Sequence, residues 1–255
     1  MLNNFFEYFK DKNQLLLSYA VFCFVGGLIC LVLSKYSSLQ VTGNSAWIKP
    51  FKFFISIGVF AFTLALYVVY LDDQRQVTHY CWSFIIFFSI ELLLITLQAS
   101  RGRKSHYNID TPLDRVVFAL MGLSLMVILI HTIFIITLFC TQKQFNAADE
   151  MILAIKLSLI MMVIFMLEGY LMINLFKHTI GAEDGTQGIP VLNWSKNHGD
   201  LRVAHFLGMH ALQIIPLLTF FVANTKRDVY LIAVLYFVFV TFTLVQALQG
   251  KPFFK

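Results

Sequence analysis

The chain alternates between long apolar runs and short polar intervals. A window of about 19 residues, the length of helix that crosses a bilayer, finds seven apolar runs. They lie near residues 15–34, 51–71, 80–99, 116–139, 151–175, 203–223 and 229–248. Charged residues collect between the runs rather than within them. The pattern predicts an all-α membrane protein whose seven transmembrane helices form a single domain over residues 1–255.

The composition excludes a water-soluble domain. Apolar residues make up 58% of the 255 positions and charged residues 13%, whereas soluble domains carry about 25% charged residues. The longest polar intervals, 100–115 and 176–202, are too short to build a hydrophobic core of their own. We therefore expect the lipid bilayer as a partner, and no nucleic acid.

The distribution of Lys and Arg predicts the orientation of the helices. On the side of the N-terminus and the even-numbered loops, the positive residues are Lys10, Lys12, Arg75, Lys143, Lys226 and Arg227. On the other side they are Lys35, Lys49, Lys52, Arg101, Arg103, Lys104, Arg115, Lys177, Lys196, Arg202, Lys251 and Lys255. Cytoplasmic loops collect Lys and Arg, and the second set is twice the first. We therefore expect the N-terminus outside and the C-terminus in the cytoplasm.

The first three and the last three runs share a weak internal similarity. The matches are G-x7-K from Gly27 and from Gly169, a basic pair three residues apart from Lys49 and from Arg202, and Q-A-x-x-G-[RK] from Gln98 and from Gln246. They predict a 3+1+3 arrangement in which the fourth helix links two parallel triplets. Chance matches in a low-complexity membrane sequence are the competing explanation.

Three ionisable residues lie well inside predicted helices, where they are costly and therefore candidates for function. At about 1.5 Å of rise per residue, Glu91 lies roughly 12 Å, Glu168 roughly 10 Å and His210 roughly 13 Å from the cytoplasmic ends of their helices. Gln98 shares a helix face with Glu91, and Gln213 with His210. These five residues predict the polar floor of a cavity that opens to the cytoplasm.

Polar and charged residues at the cytoplasmic helix ends predict the mouth of this cavity. They are Lys49, Lys52, Arg101, His106, Asp200, Arg202 and His205. Arg202 and His205 share one helix face, and that pair suits an anionic group at the membrane surface. The other interpretation of the mouth is ordinary cytoplasmic charge in contact with lipid phosphates.

Three interpretations of the floor stay open. Two carboxylates and an imidazole can hold a divalent metal such as Zn, with Glu91, Glu168 and His210 as its ligands. A carboxylate in a low-dielectric site can instead bind and release protons near neutrality. In the third interpretation the groups only pair across helices, because buried charges need partners whatever their role.

The sixth run carries both a histidine pair and a proline. His205 and His210 cannot chelate one ion together, because a spacing of five residues places them about 140° apart around a helix. Pro216 lies inside the run and predicts a kink near His210. The chain has no Walker A sequence, no H-E-x-x-H and no G-x-S-x-G, so ATP-driven transport and the commonest hydrolase motifs are unsupported.

Three stretches resemble segments of uncharacterised bacterial multi-span membrane proteins. They are W-I-K-P-F-K-F-F-I-S from Trp47, E-L-L-L-I-T-L-Q-A-S-R-G-R-K-S-H-Y-N from Glu91, and G-D-L-R-V-A-H-F-L-G-M-H-A-L-Q from Gly199. The resemblance covers most of the chain and implies a multi-pass protein of the bacterial inner membrane, without an activity.

Two better-known groups are similar in layout. The 3+1+3 arrangement resembles that of the SWEET and PnuC families of sugar and vitamin facilitators, although their substrate motifs are absent. Seven spans with an intramembrane acid and histidine also resemble the alkaline ceramidase and adiponectin-receptor group of zinc hydrolases. That group has a second zinc histidine four residues from the first, which His205 and His210 do not provide.

Two functions are therefore expected. The first is a transporter or facilitator of a small, anionic solute. In this function Glu91, Glu168 and His210 bind the solute or protons. The cations that attract this solute are Lys49, Lys52, Arg101 and Arg202. The alternative is a metal-dependent, membrane-embedded hydrolase that acts on a lipid or amphiphile with the same three floor residues. Signal reception without chemistry is a third reading, for which the short loops reveal no partner.

Overall fold

The computed structural model describes residues 2–185 and 188–254, with side chains from residue 13 onward. It is all-helical, with 73% of residues in helices. The helices are α1 Leu2–Tyr36, α2 Ile48–Tyr67 with a 3-10 turn Val68–Tyr70, α3 Gln74–Ser100, α4 Pro112–Thr141, α5 Asp149–Leu175, α6 Leu201–Met209, α7 Ala211–Val222 and α8 Lys226–Leu248. Two short antiparallel strand pairs complete the fold, β1 Gln40–Val41 with β2 Asn44–Ser45, and β3 Thr179–Ile180 with β4 Gly199–Asp200.

Within the described residues, six helices are long and apolar enough to cross a membrane, and the bent pair α6–α7 would make a seventh span. Six of the seven apolar runs coincide with these candidate spans to within about six residues at each end, the first of them with Asn13–Tyr36, and run 203–223 coincides with the bent pair. The multi-span, all-helical prediction is therefore confirmed.

The chain divides into two compact units, Met1–Ile135 and Ile136–Lys255. In the first unit, α1 crosses α2 closely at glycines. A Cβ atom on Gly27 would lie 2.8 Å from the Cδ1 atom of Ile55, and one on Gly58 would lie 2.8 Å from the ring of Phe24. Small residues let helix backbones approach in this way inside membranes. On the other side of α2, Phe60 meets the aromatic rings of α3, with 5.1 Å between the centroids of Phe60 and Phe84.

The second unit packs α5 against α6, α7 and α8. Gly208 of α6 lies directly on the ring of Phe165, with no room for a Cβ atom between them. Gly199 of β4 is pressed in the same way against the carbonyl of Ala247 in α8. The Tyr236 hydroxyl of α8 donates a hydrogen bond of 2.7 Å to the Leu207 carbonyl oxygen. These contacts fix the position of α6, which carries several candidate site residues.

The helices α6 and α7 meet at a bend of 49° at His210, which ends α6 and begins α7. Pro216 lies inside α7. Proline lacks the N–H that would bond the carbonyl four residues earlier, so a helix weakens on its N-terminal side. The predicted kink near His210 is confirmed.

The helices α3 and α8 end in the same cap. Gly102 and Gly250 have φ angles of 63° and 74°, and each glycine N–H donates to the carbonyl three residues earlier, in Ala99 and Ala247. The next N–H donates to the carbonyl five residues before it, from Arg103 to Gln98 at 2.9 Å and from Lys251 to Gln246 at 3.1 Å. This is the Schellman arrangement, in which glycine tolerates the left-handed backbone.

Candidate functional site

Glu91 is a fully buried acid in the first unit. Its side chain on α3 has 0% exposure, and neither carboxylate oxygen has a hydrogen-bond partner among the described residues. The nearest basic group is the His106 imidazole, whose Nε2 atom lies 3.6 Å from Oε1 of Glu91. Lys49 of α2 also acts on Glu91 electrostatically. A buried acid thus faces one imidazole and one ammonium group.

His106 lies on the loop after α3 and folds back toward Glu91. Its Nδ1 atom is 3.0 Å from the Ser105 hydroxyl, and its ring stands 5.7 Å from that of Phe53. The Lys49 ammonium lies 5.9 Å from the centre of the same Phe53 ring. Residues predicted at the mouth, Lys49 and His106, are therefore gathered around Glu91, a residue predicted at the floor.

Asp114 anchors the same loop, and sequence reasoning missed it. Its side chain has 0% exposure and accepts hydrogen bonds from Gln98 at 2.8 Å, Thr111 at 2.7 Å and Arg103 at 2.8 Å. Arg101 lies 3.4 Å away and donates to Gln98 as well. The signal in the sequence is T-P-L-D, a capping pattern at the start of α4, which indicates a helix start rather than a buried hub.

This hub changes the roles predicted for two residues. Gln98 is directed to Asp114 and Arg101, and not to the carboxylate of Glu91. The positive charge of Arg101 faces the Asp114 carboxylate. Lys52 lies half-buried on α2.

Glu168 is the corresponding buried acid of the second unit. Its side chain on α5 is 6% exposed, and its oxygens have no hydrogen-bond partner among the described residues. The Nδ1 atom of His205 lies 3.2 Å from Oε2 of Glu168 and 2.7 Å from the Phe165 carbonyl oxygen. A carbonyl oxygen only accepts, so the His205 Nδ1 atom carries a proton and donates it to the Phe165 carbonyl oxygen.

Arg202 is turned away from His205, in contrast to the joint anion site that their shared helix face predicted. Its guanidinium forms a two-pronged pair with Asp200, at 2.9 Å from Nε and 2.6 Å from Nη2. Nη2 also donates to the Asn193 carbonyl oxygen at 2.6 Å. Asp200, 2% exposed, accepts from the Ser195 N–H as well. A bidentate arginine–carboxylate pair is stronger than a single hydrogen bond. Arg202 therefore stabilises the loop before α6.

His210 lies at the bend between α6 and α7 and contacts Gln213, as their shared helix face predicts. The His210 Nδ1 atom lies 3.0 Å from Oε1 of Gln213, and the imidazole packs on the ring of Phe206 at 4.2 Å.

In residues 2–185 and 188–254, no group of three or more His, Cys, Asp or Glu residues could hold a metal ion. Glu91 belongs to the first unit, and Glu168 and His210 to the second. Catalytic zinc sites use three protein ligands, whereas each acid here is paired with one imidazole. The zinc site of Glu91, Glu168 and His210 stays a prediction.

A polar groove of about 360 Å³ lies beside the His106 loop in the first unit. Its lining residues are Gln40, Val41, Thr42, Gly102, Arg103, Lys104, Tyr107, Asn108 and Asp110. Thr42 and Tyr107 have φ angles of 50° and 52°, a conformation that is strained for residues other than glycine. Two of the lining residues, Arg103 and Lys104, are basic and belong to the loop that carries His106.

No protein-family model matches this chain, and no curated protein or solved structure matches it.

Proposed function

We propose that this protein is an integral membrane transporter or facilitator that moves a small, anionic solute together with a proton bound at Glu91. The observation that carries the proposal is the burial of Glu91. Its carboxyl group is fully enclosed and has an imidazole as its nearest basic neighbour. Ionisable groups at membrane depth are rare and mark substrate pathways and proton relays.

A proton is the simplest ligand for such a carboxyl group. An ionised carboxylate that is buried without hydrogen bonds costs far more free energy than the neutral acid. His106 at 3.6 Å is too far for a direct hydrogen bond, but one rearranged rotamer or one water brings it into reach. Glu91 and His106 can therefore pass a proton between them, as an intramembrane relay requires.

The surrounding charge favours an anionic solute. Lys49 acts on Glu91, and Lys104 lines the groove in the adjacent loop, where the charge of Arg103 is paired with Asp114. An ionised Glu91 would repel an anion that approaches Lys49, whereas a protonated Glu91 would not. Binding of the anion and binding of the proton therefore support each other. Arg101 and Arg202 contribute less than their sequence positions suggest, because each is paired with a buried aspartate.

The order of elements supports a facilitator-like layout with two parallel triplets and α4 as the linker. Each unit runs from a long helix through a short antiparallel strand pair to a second span and a third helix. The matching glycines Gly27 and Gly169 both lie at the crossing of the first and second spans, against Ile55 and His205. The matching segments after Gln98 and Gln246 form the same helix cap. Such correspondences are expected of an internal repeat, and this is the layout that resembles SWEET and PnuC facilitators.

The proposal places the protein in the bacterial inner membrane, with its N-terminus outside and its C-terminus in the cytoplasm. The lipid bilayer is then its structural partner, and a small anion is its substrate. The hydrolase alternative would need a third metal ligand beside one of the acid–imidazole pairs, so transport is the reading that the two-residue pairs favour.

The test is anion-driven proton entry in proteoliposomes. We expect one member of a panel of phosphate, acetate, lactate and citrate to acidify vesicles that contain a trapped pH indicator. Glu91→Gln removes the proton site and should reduce the rate of acidification at least about tenfold, because a side chain that transfers protons is lost. Glu183→Gln is the matched control, because Glu183 is an exposed loop residue and the same chemical change there should leave the flux unaltered.

Two results would overturn the proposal. One is an absence of anion-dependent proton entry across the whole panel in correctly folded protein. The other is a flux in Glu91→Gln equal to that of the wild type.

A further inference from the structure

Both buried glutamates face a histidine that follows an arginine by three residues. In the first unit the segment is R-K-S-H, from Arg103 to His106, and in the second it is R-V-A-H, from Arg202 to His205. Each arginine is paired with a buried aspartate, Asp114 or Asp200. Neither Asp114 nor the pairing of Asp200 with Arg202 was expected from the sequence.

In the first unit the Arg103–Asp114 pair ties the His106 loop to the start of α4. The Arg103 Nη1 atom lies 2.8 Å from Oδ2 of Asp114, to which the Thr111 hydroxyl also donates. The Gln98 amide donates to Oδ1 of the same carboxylate. Three residues separate Arg103 from His106, so the anchored arginine limits how far the imidazole can move from Glu91. A chain of three residues spans at most about 10 Å.

In the second unit the Arg202–Asp200 pair fixes the start of α6. Two guanidinium nitrogens bond the Asp200 carboxylate, and the Ser195 N–H and the Asn193 carbonyl lock both partners to the preceding loop. His205 lies one helical turn after Arg202, on the same face. The rotation of α6 about its axis therefore sets the distance between the His205 imidazole and Glu168.

The two constructions do not occupy equivalent positions. Glu91 lies on the third helix of its unit with its histidine on the following loop, whereas Glu168 lies on the first helix of its unit with its histidine on the second span. An internal repeat would place them on matching helices. The same combination of acid, imidazole, arginine and buried aspartate has thus formed twice at different places, which points to a shared chemical role.

We infer that the Glu168–His205 pair is a second proton-binding site, separate from Glu91–His106, and that Asp200 and Asp114 are the positioning residues of the two sites. This extends the proposed function, since it gives the carrier a second group that can bind a proton. The charged groups that face Glu91 are His106 and Lys49, and the group that faces Glu168 is His205. Each aspartate acts through its arginine on the imidazole and does not touch the glutamate.

Infrared difference spectroscopy during a pH titration of the purified protein tests the inference without any transport assay. Protonated carboxyl groups give a distinct band, and we expect two titrating bands in the wild type. Glu91→Gln should remove one band, and Glu168→Gln should remove the other. Glu183→Gln should remove neither, because its carboxyl group is exposed to solvent.

The aspartate variants test positioning. Asp114→Asn should shift the midpoint of the Glu91 band by about one pH unit, because the His106 imidazole is no longer held beside the carboxyl group. The Glu168 band should stay in place. Asp200→Asn should give the reciprocal result, and Asp114→Glu and Asp200→Glu should restore most of each shift.

A second variant distinguishes loss of positioning from misfolding, and the infrared result can be interpreted even if the protein transports no anion. If Asp114→Asn does not fold, Arg103→Lys keeps the charge but loses the planar guanidinium, and it should shift the Glu91 band alone. A single titrating band, or equal shifts of both bands in each aspartate variant, would overturn the inference. Two bands that respond independently in a protein without anion flux would keep the two proton sites and remove the transporter.

Discussion

Asp184 organises the beginning of the loop between α5 and α6. Its carboxylate accepts the N–H groups of His178 and Thr179 and lies 2.6 Å from Nδ1 of His178. Burial opposes ionisation of Asp184, but the hydrogen bonds and the charge of His178 outweigh it and hold its pKa well below the usual range. The loop leads directly to β4 and to the Asp200–Arg202 pair.

This lowered pKa predicts how the loop responds to pH. A depressed carboxyl pKa gives stability that is present above the ordinary aspartate value and is lost only as the pH falls through the folded value. The protection of the His178 and Thr179 amides should therefore be constant from neutral pH down to about pH 4. Asp184→Asn should reduce this protection at neutral pH, whereas Glu183→Gln should not. Hydrogen exchange with mass spectrometry checks it, and protection lost already between pH 7 and pH 5 in the wild type would contradict it.

The sequence indicated most residues of the candidate site but not their partners. Glu91, Glu168, His106 and His205 were all singled out, because acids and imidazoles stand out in apolar helices. Their pairing depends on a loop that folds back to α3 and on the rotation of α6, and neither follows from helix periodicity.

Two side-chain directions were missed for similar reasons. Arg202 shares a helix face with His205, yet the nearby Asp200 carboxylate holds its guanidinium elsewhere. Asp114 is the third residue after a capping threonine, a position that is ordinarily solvated. Only the fold shows that it is fully buried and shared by Gln98, Thr111 and Arg103.

At the scale of elements, the crossing of α5 and α6 holds the His205 imidazole beside Glu168. Gly208 lies against the Phe165 ring, and the Phe165 carbonyl oxygen accepts the His205 hydrogen bond. Gly169 lies one turn further along α5, where a Cβ atom would be 3.0 Å from the His205 ring. A close helix crossing and the position of the imidazole therefore depend on the same few residues.

Gly208→Ala should loosen this crossing. The added methyl group would overlap the Phe165 ring, and an overpacked core costs about 1–3 kcal/mol. We expect a lower thermal midpoint in detergent and a shift of the Glu168 infrared band. Gly122→Ala is the matched control, because nothing lies within 4 Å of a Cβ atom there and alanine favours a helix interior over glycine. A Gly208→Ala protein as stable as Gly122→Ala would contradict this prediction, because it would show that the crossing accommodates the added methyl group.

The elements themselves could be predicted well because the bilayer sets their length. An apolar run of about 20 residues has few possible conformations in lipid, since its backbone N–H and C=O groups must form hydrogen bonds within the protein. Proline chemistry likewise predicted the bend between α6 and α7 near His210. The short strand pairs were not predicted, because two-residue strands carry no periodic signal.

At the scale of the molecule, the proposed function depends on which ends of the helices face the cytoplasm. The orientation rests on the excess of Lys and Arg on one side of the predicted spans. In this orientation the loop after α1 and the groove beside His106 face the cytoplasm, and the loop between α4 and α5 faces outward. An inverted protein would place Arg103 and Lys104 on the outside, so that an anion would reach the groove from outside the cell rather than from the cytoplasm.

Cysteine accessibility measures this orientation directly. Of the four cysteines, Cys23, Cys30 and Cys81 are buried and Cys140 is exposed. Cys140→Ser therefore removes the native thiol that a maleimide would otherwise label. In that background, Ser38→Cys and Asn146→Cys place single thiols at exposed positions in two loops. An impermeant maleimide should label residue 146 in intact cells and residue 38 only in inverted vesicles, because the number of spans between them is odd. The reverse pattern would invert the protein in the membrane, and labelling of both from one side would mean that an even number of helices separates these loops.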